Sequence, residues 1–352
     1  MEKNFITTAN GKFSLNGEQF RFTGTNMYEL ANVDHDTTRR MLEDACAQGF
    51  RVIRFWAFHP VTYHKLNEIC ELACQLDLKL IPVLADPGDY LQSFKVNSNW
   101  YKDDFKKTYF DHISELASRL KDREEILLWE LINEPYTDSF SDFFNFAKES
   151  SEKIRSLDSN HLISIGTIGG VGDRFGGFFS RFSTENFKNI YSLKTLDAVS
   201  LHDYSYNSNM FERLDIFYRL QAKHHNSKLM SSLNSIFNFI PDRIDKITFE
   251  SSKKTYDLPF TLRSIWRRLN KKNILDAKQL GKPFYIGEVG FKKNTGDLRI
   301  EILRTELKKY FDTGAAGVLL WSFQSQGRSV DGHDYGFDAE DKIGDAIRGF
   351  SE

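Results

Sequence analysis

Cysteine is scarce in this sequence, and the little there is forms no pattern. The residues are Cys46, Cys70 and Cys74, the last two four apart on an expected helix. Partners for a metal site are missing, since no Cys or His pair recurs at ligand spacing, and no metal is expected. An odd count in helical context reads as buried free thiols, which argues against a disulfide framework. An excess of charge of one sign is also lacking. The formal net charge of −2 gives no reason to expect a nucleic-acid partner. No stretch approaches the roughly 20 apolar residues of a membrane span. Met1-Glu2-Lys3-Asn4-Phe5 lacks the apolar run of a signal peptide. The chain as given is therefore expected to be soluble, cytoplasmic as it stands and secreted if a signal has been removed.

What is present suits a large globular core. With 352 residues the chain has room for one large barrel or two ordinary domains, and needs no disulfide or metal staple. Phenylalanine is abundant at 31 residues; most belong to a core, while aromatic-rich clefts also suit the C–H faces of sugars. One stretch stands out: Ile126-Leu127-Leu128-Trp129-Glu130-Leu131-Ile132-Asn133-Glu134-Pro135. It is a near-continuous apolar run, as in a strand of a parallel sheet buried on both faces. Pro135 removes a ladder donor and stops the strand. That places Asn133 and Glu134 at a strand's C-terminal end, where parallel α/β folds carry their chemistry.

The rest of the chain repeats this rhythm. Residues 11–22 alternate around Asn16-Gly17, a hairpin signal. Strands are then expected at 20–26, 50–58, 78–84, 126–133, 161–166, 196–202, 283–288 and 317–323. Helical spacing is expected over 36–48 (capped by Asp36 or Thr37 and stopped by Gly49), 62–77, 102–121, 139–157, 182–191, 297–312 and 339–350. Eight strands alternating with helices predict an α/β (β/α)₈ TIM barrel with an N-terminal β-hairpin. A doubly wound sheet would want a Gly-rich first turn, and Thr23-Gly24-Thr25-Asn26 is not one. The expectation is a single catalytic domain over 1–352. Residues 207–280 are more than one crossover needs and hold 14 Lys or Arg against 7 Asp or Glu. They read as an inserted helical lid or cleft wall leaving the end of strand six. The basic amphipathic run at 260–268 raises membrane contact only as a lesser alternative.

The catalytic face of such a barrel collects the residues at and just past the C-terminal end of each strand. Here that means Arg54, Trp56 and His59 from strand two, Asp86 from strand three, and Asn133 and Glu134 from strand four. Strand six contributes His202 and Tyr204, strand seven Glu288 and strand eight Trp321. Each has a bland reading: a structural ion pair for Arg54, a satisfied buried histidine for His202, core for Trp321. Together they are harder to dismiss, because ionisable groups at the ends of apolar strands are costly to bury unless paired. Two glutamates facing each other across a barrel mouth suit hydrolysis of a glycosidic bond. One must be protonated to assist the leaving oxygen, and the other ionised to attack the anomeric carbon. Arg54 and Tyr204 would keep Glu288 ionised. Asn133 would bind the sugar's 2-hydroxyl, and Trp321 would form a platform under the ring being cleaved.

These residues resemble the retaining (β/α)₈ glycoside hydrolases of family five, in clan A, with a β-mannanase flavour. The resemblance rests on Gly24-Thr25-Asn26, Arg54-Phe55-Trp56-Ala57-Phe58, Asn133-Glu134-Pro135, His202-Asp203-Tyr204, Gly287-Glu288 and Trp321. Weaker support comes from Leu162–Thr167 and Asp334-Tyr335-Gly336-Phe337. The resemblance implies Glu134 as acid/base and Glu288 as nucleophile, with Asn133, Arg54, His202, Tyr204 and Trp321 at supporting positions. It implies no cofactor and a β-linked oligo- or polysaccharide substrate (β-1,4-mannan first); a monomer is expected, though nothing in the sequence fixes the oligomeric state. Asp86 stands where many relatives carry His or Asn, and with the 207–280 insertion it leaves the substrate more open than the reaction. Rival readings are an exo-acting β-mannosidase or β-glucosidase, a cellulase-type glucanase, and a glycan-binding barrel without turnover. A phosphate-metabolite barrel would want a Gly-rich loop after strand seven or eight, whereas Gly314 and Gly317 precede strand eight.

Overall fold

A computed structural model of the chain describes residues 4–87, 91–169, 174–176, 180, 183–204, 262–291, 293, 298–325 and 335–350. The chain opens with β1 (Thr7–Ala9), β2 (Lys12–Leu15) and β3 (Glu18–Phe20), a small antiparallel sheet. The expected hairpin joins β2 to β3, with Asn16 at φ 55° and Gly17 at φ 83° in its turn. β1 is a third strand with no period to betray it: all its residues are exposed. Phe13 of this sheet is fully buried against Phe22 and Tyr285, and so closes the end of the barrel where the strands begin.

The barrel itself is β4 (Phe22–Met27), β5 (Val52–Trp56), β6 (Lys79–Val83), β7 (Leu128–Asn133), β8 (Leu162–Ile168), β9 (Val199–His202), β10 (Phe284–Val289) and β11 (Gly317–Leu320). These eight strands pair in parallel, and the order β10-β11-β4-β5-β6-β7-β8-β9 closes on itself. Apart from the first residue of β6, every barrel-strand residue is buried. Burial on both faces is why the strands read as apolar runs without alternation.

The helices are α1 (His35–Gln48), α2 (Tyr63–Gln75), α3 (Thr108–Leu120), α4 (Phe140–Leu157), α5 (Glu185–Tyr191), α6 (Leu262–Gln279), α7 (Leu298–Asp312) and α8 (Gly344–Ile347). The cap of α1 is Asp34, before the expected Asp36. Its carboxylate accepts from the Thr37 backbone N–H at 2.9 Å and from the Thr37 hydroxyl at 2.8 Å, satisfying an orphan donor of the first turn. Gly49 ends α1 with φ 97°, as expected. α3 starts later than expected because residues Asp104–Lys106 form a 3₁₀ turn, and the last expected helix shrinks to α8. Of the cysteines expected to be buried, Cys70 is; Cys46 is half-buried and Cys74 exposed.

Residues 205–261, most of the expected lid, lie outside the described residues. Residues 262–279 form α6, which leads into β10 and bonds α5 through Thr184–Asp276 (2.7 Å) and Lys188–Gln279 (2.8 Å). That is the place of a barrel crossover helix. Among the described residues no helix is long and apolar enough to cross a membrane.

α3 carries an ionisable group into the helix–barrel interface. His112 is 4% exposed, and its Nε2–H donates to the Ala57 carbonyl at 2.7 Å just past the end of β5. Burial pushes the imidazole down to about 4 from its ordinary 6.5, the carbonyl bond opposing the shift only in part. The unfolded chain therefore binds a proton that the folded chain refuses as pH falls from 6.5 to 4, and stability is lost across that window. At pH 7 the histidine is neutral in both states. The expected loss is about 3 kcal/mol by pH 4. Urea unfolding at stepped pH should show a correspondingly weaker acid dependence in His112→Gln. An unchanged slope would overturn this assignment.

Candidate active site

The backbone aims the two glutamates before any side chain does. The β7–β8 ladder shifts register between Glu130 and Asn133, and the β9–β10 ladder shifts between Ile286 and Glu288. Such irregularities break the strict alternation of faces and re-aim side chains. Glu130, Asn133 and Glu134 consequently all reach groups inside the barrel mouth. Glu134 adds φ 37°, a left-handed conformation rare for a residue with a side chain, and its N–H donates to Gly166 O at 2.7 Å.

Arg54 is the hub beneath them. Its side chain is fully buried, and each of its five N–H donors has a bond. Nε and Nη2 donate to Glu130 Oε1 at 3.0 and 2.5 Å. Nη2 also donates to Asn133 Oδ1 at 2.6 Å, and Nη1 to Asn26 Oδ1 at 2.7 Å and Glu288 Oε1 at 2.9 Å. Burial alone would lower the guanidinium's pKa; the Glu130 and Glu288 carboxylates outweigh it and hold it above its ordinary value. Tyr285 donates to the other Glu130 oxygen at 3.0 Å, and burial followed by that carboxylate pushes the phenol well up. Gly166 makes room for the cluster: a Cβ there would lie 2.4 Å from Glu130 Oε1 and 3.0 Å from Arg54 Nη2.

Above the hub, Tyr204 donates to Glu288 Oε2 at 2.7 Å. His202 Nδ1 lies 3.0 Å from Glu134 Oε1 and 3.4 Å from Glu288 Oε1. Arg174 Nη1 donates to Glu134 Oε2 at 3.4 Å. One oxygen of each glutamate and a ring nitrogen of His202 fall within 4.8 Å of one another. That spacing alone would admit a cation. Glu288 is a poor ligand, however, because Arg54 and Tyr204 already donate to its two oxygens.

Aromatic rings frame the carboxyls. Trp56, Trp321, Tyr28, Phe58, Tyr204 and Tyr335 form one cluster, with Trp56 edge-on to Trp321 at 5.4 Å and the Arg54 guanidinium 4.6 Å over Trp56. Trp321 is 9% exposed, and the Trp321–Ser322 peptide is cis.

The structure thus brings together Arg54, Trp56, Asn133, Glu134, His202, Tyr204, Glu288 and Trp321. Two expected residues stand apart from the carboxyls. Asp86 sits behind Asn133, accepting from its Nδ2 at 2.6 Å. His59 turns away: its Nδ1 pairs with Ser93 Oγ at 2.5 Å and its ring stands edge-on to His112 at 5.6 Å. Sequence reasoning gave no site role to Glu130, Tyr285 or Arg174, and named Asn26 only within the Gly24-Thr25-Asn26 motif. The signal for Glu130 was available, as a charge inside an apolar strand demands a buried partner.

Comparison with known proteins agrees with this geometry. The family profile described as cellulase (glycosyl hydrolase family 5) matches residues 13–327. Mannan endo-1,4-beta-mannosidase A of Hypocrea jecorina is 27% identical over 241 residues, 57% of this chain and 55% of that protein. Mannan endo-1,4-beta-mannosidase 5 of Solanum lycopersicum is 26% identical over 255 residues, 58% of this chain and 61% of that protein. The chain thus spans somewhat over half the length of these relatives. The endo-1,4-beta-mannanase structure from Rhizomucor miehei superposes with a TM-score of 0.69 at 21% identity, covering 99% of this chain and 98% of that one. The mannanase from Eisenia fetida gives 0.60 at 16%, with 99% and 96% covered. At such identities the superpositions speak for the fold alone. With the profile spanning the barrel from the first hairpin to beyond the last strand, the chain belongs to glycosyl hydrolase family 5, the cellulase family.

Proposed function

We propose that this chain is a retaining endo-β-1,4-mannanase acting by double displacement, with Glu288 as nucleophile and Glu134 as acid/base. The carrying observation is the approach of one oxygen of each glutamate to within 4.8 Å. That suits the carboxyl separation of about 5–5.5 Å used by retaining hydrolases better than the roughly 6.5–9.5 Å of inverting ones, which seat a water between the carboxyls. The mannan substrate is supported by the names of the relatives, mannan endo-1,4-beta-mannosidases.

In the first step a Glu288 carboxylate oxygen attacks the anomeric carbon. The glycosidic C–O bond breaks, and Glu134 gives its proton to the departing oxygen. In the second step water attacks the same carbon, passes a proton to Glu134 and releases Glu288. Tyr204 and Arg54 aim the nucleophile, both donating to it. Asn133 gives Asp86 one N–H of its amide, and the other suits the sugar's 2-hydroxyl. Trp321 serves as the platform for the ring being cleaved.

Glu288→Ala should lower mannan hydrolysis by about four orders of magnitude or more. Wild-type rates in that variant on an activated aryl β-mannoside would defeat the assignment. Proton NMR of the first product should show the β-anomer; an α-anomer would mean inversion. Sized products should be mixed oligomers, and mannose alone would point to an exo-enzyme instead. Glu130→Gln should cost about 3–5 kcal/mol in urea unfolding, because it takes from a fully buried cation the carboxylate that holds two of its five donors and leaves Glu288 alone as countercharge. A loss below about 1 kcal/mol, the range of an exposed pair, would show that Glu130 does not hold Arg54.

A further inference from the structure

We propose that Arg174 is a positioning residue for the leaving-group proton, acting on substrate only through Glu134. The inference rests on reading Glu134 as the acid/base. Glu134 differs from Glu288 in how it is held. Glu288 is 3% exposed and receives bonds of 2.9 and 2.7 Å from Arg54 and Tyr204. The Glu134 side chain is 19% exposed, and two of the bonds it accepts are longer: 3.0 Å from His202 to Oε1 and 3.4 Å from Arg174 to Oε2. His202 Nδ1 is itself divided, lying also 3.4 Å from Glu288 Oε1. One ring nitrogen shared between two carboxyls fixes neither orientation by itself. Arg174, holding the other oxygen, does what His202 alone does not.

The arginine is delivered by a clamped tripeptide. The Thr137 N–H donates to Arg174 O at 3.3 Å, and the Gly176 N–H donates to Thr137 O at 2.8 Å. Between them Phe175 is 4% exposed and stacks on Phe143 at 4.8 Å, and Asn186 Nδ2 donates to its carbonyl at 3.2 Å. The segment after β8 is thereby tied to the segment after β7 that carries Glu134. The guanidinium passes 5.9 Å over the Tyr136 ring on its way to the carboxyl. A contact of 3.4 Å is at the long end of hydrogen bonding, so it orients the carboxyl without locking it. That suits a group that must give up a proton and take one back. Proton delivery is steep in distance, and a misplacement of about 1 Å is worth roughly 10²-fold in rate.

The test exploits leaving groups. Mannohexaose needs the proton for its first step, whereas a dinitrophenyl β-mannobioside does not. Arg174→Gln should lower kcat on mannohexaose about 10- to 100-fold with KM within about 2-fold, while the dinitrophenol burst rate stays within about 3-fold of wild type. Arg174→Lys, which keeps the cation, should recover much of the loss on mannohexaose. Equal losses on both substrates, or a loss carried by KM, would overturn the proposal in favour of a structural or substrate-binding arginine. Should Arg174→Gln misfold, seen as a lost burst amplitude, the same split measured on Arg174→Met, which also removes the cation, decides. Glu134→Gln separates the two readings. If it cleaves mannohexaose at the wild-type rate, the acid/base assignment falls and this inference with it. If it is inactive there while Arg174→Gln is unimpaired, this inference alone is overturned.

Discussion

The Arg54 guanidinium is the group on which this barrel mouth depends. A fully buried cation carries a desolvation penalty of several kcal/mol, offset only when geometry and hydrogen bonding are nearly complete. Here they are complete: β4 supplies Asn26, β7 supplies Glu130 and Asn133, and β10 supplies Glu288. Glu130 takes two of the five bonds and is itself anchored by Tyr285. The division matters for chemistry. With much of the arginine's charge already answered by Glu130, Glu288 is oriented by Arg54 without being fully neutralised by it. A carboxylate paired alone with a buried guanidinium would be a weaker nucleophile. The ion-pair reading of Arg54 holds for Glu130, and its contact with Glu288 is the one on which the proposed functional role rests.

The strands carry an equal share of the work. A regular parallel strand turns successive side chains to opposite faces, so Asn133 and Glu134 cannot both face the axis without a break in register. The ladder shifts before Asn133 and before Glu288, and Glu134 takes up φ 37°. The apolar faces of β7 hold the opposite requirement: Trp129 points outward, where its indole N–H donates to Asp158 at 2.7 Å. One strand therefore meets a packing demand on its outer face and a chemical demand at its end, and the irregularity lies at the junction of the two.

Much of this was legible in the amino-acid order, for physical reasons that also mark where legibility stops. Strands buried on both faces announce themselves as apolar runs, so the barrel and its strand ends could be placed. Groups directly at a strand end, such as Asn133, Glu134, His202, Tyr204 and Glu288, inherit that placement. His59 lies three residues beyond Trp56, across a turn, and a turn's direction is not written in hydrophobic periodicity; it faces Ser93 and His112. Glu130 and Tyr285 lie deeper, inside strands, where pattern reading looks for core and not for partners. Arg174 belongs to a loop whose position depends on the Thr137 pairing, a long-range contact that carries no local signal.

The two carboxyls end up in environments that differ as the tasks proposed for them differ. Glu288 is nearly sealed, 3% exposed, with a cation and a phenol donating to its two oxygens. Those donors suit a group that stays charged and in place until carbon reaches it. Glu134 is more open, and His202 and Arg174 stand farther from it than Arg54 and Tyr204 do from Glu288. That arrangement suits a group that exchanges protons with leaving oxygen and then with water, and needs solvent access for the second exchange. His202 joins the two, one nitrogen within reach of both. A change of charge on either carboxyl is therefore felt by the other through a single ring. In the proposed double displacement such changes come in sequence, first as Glu288 loses its charge to carbon and Glu134 gives up its proton, then in reverse.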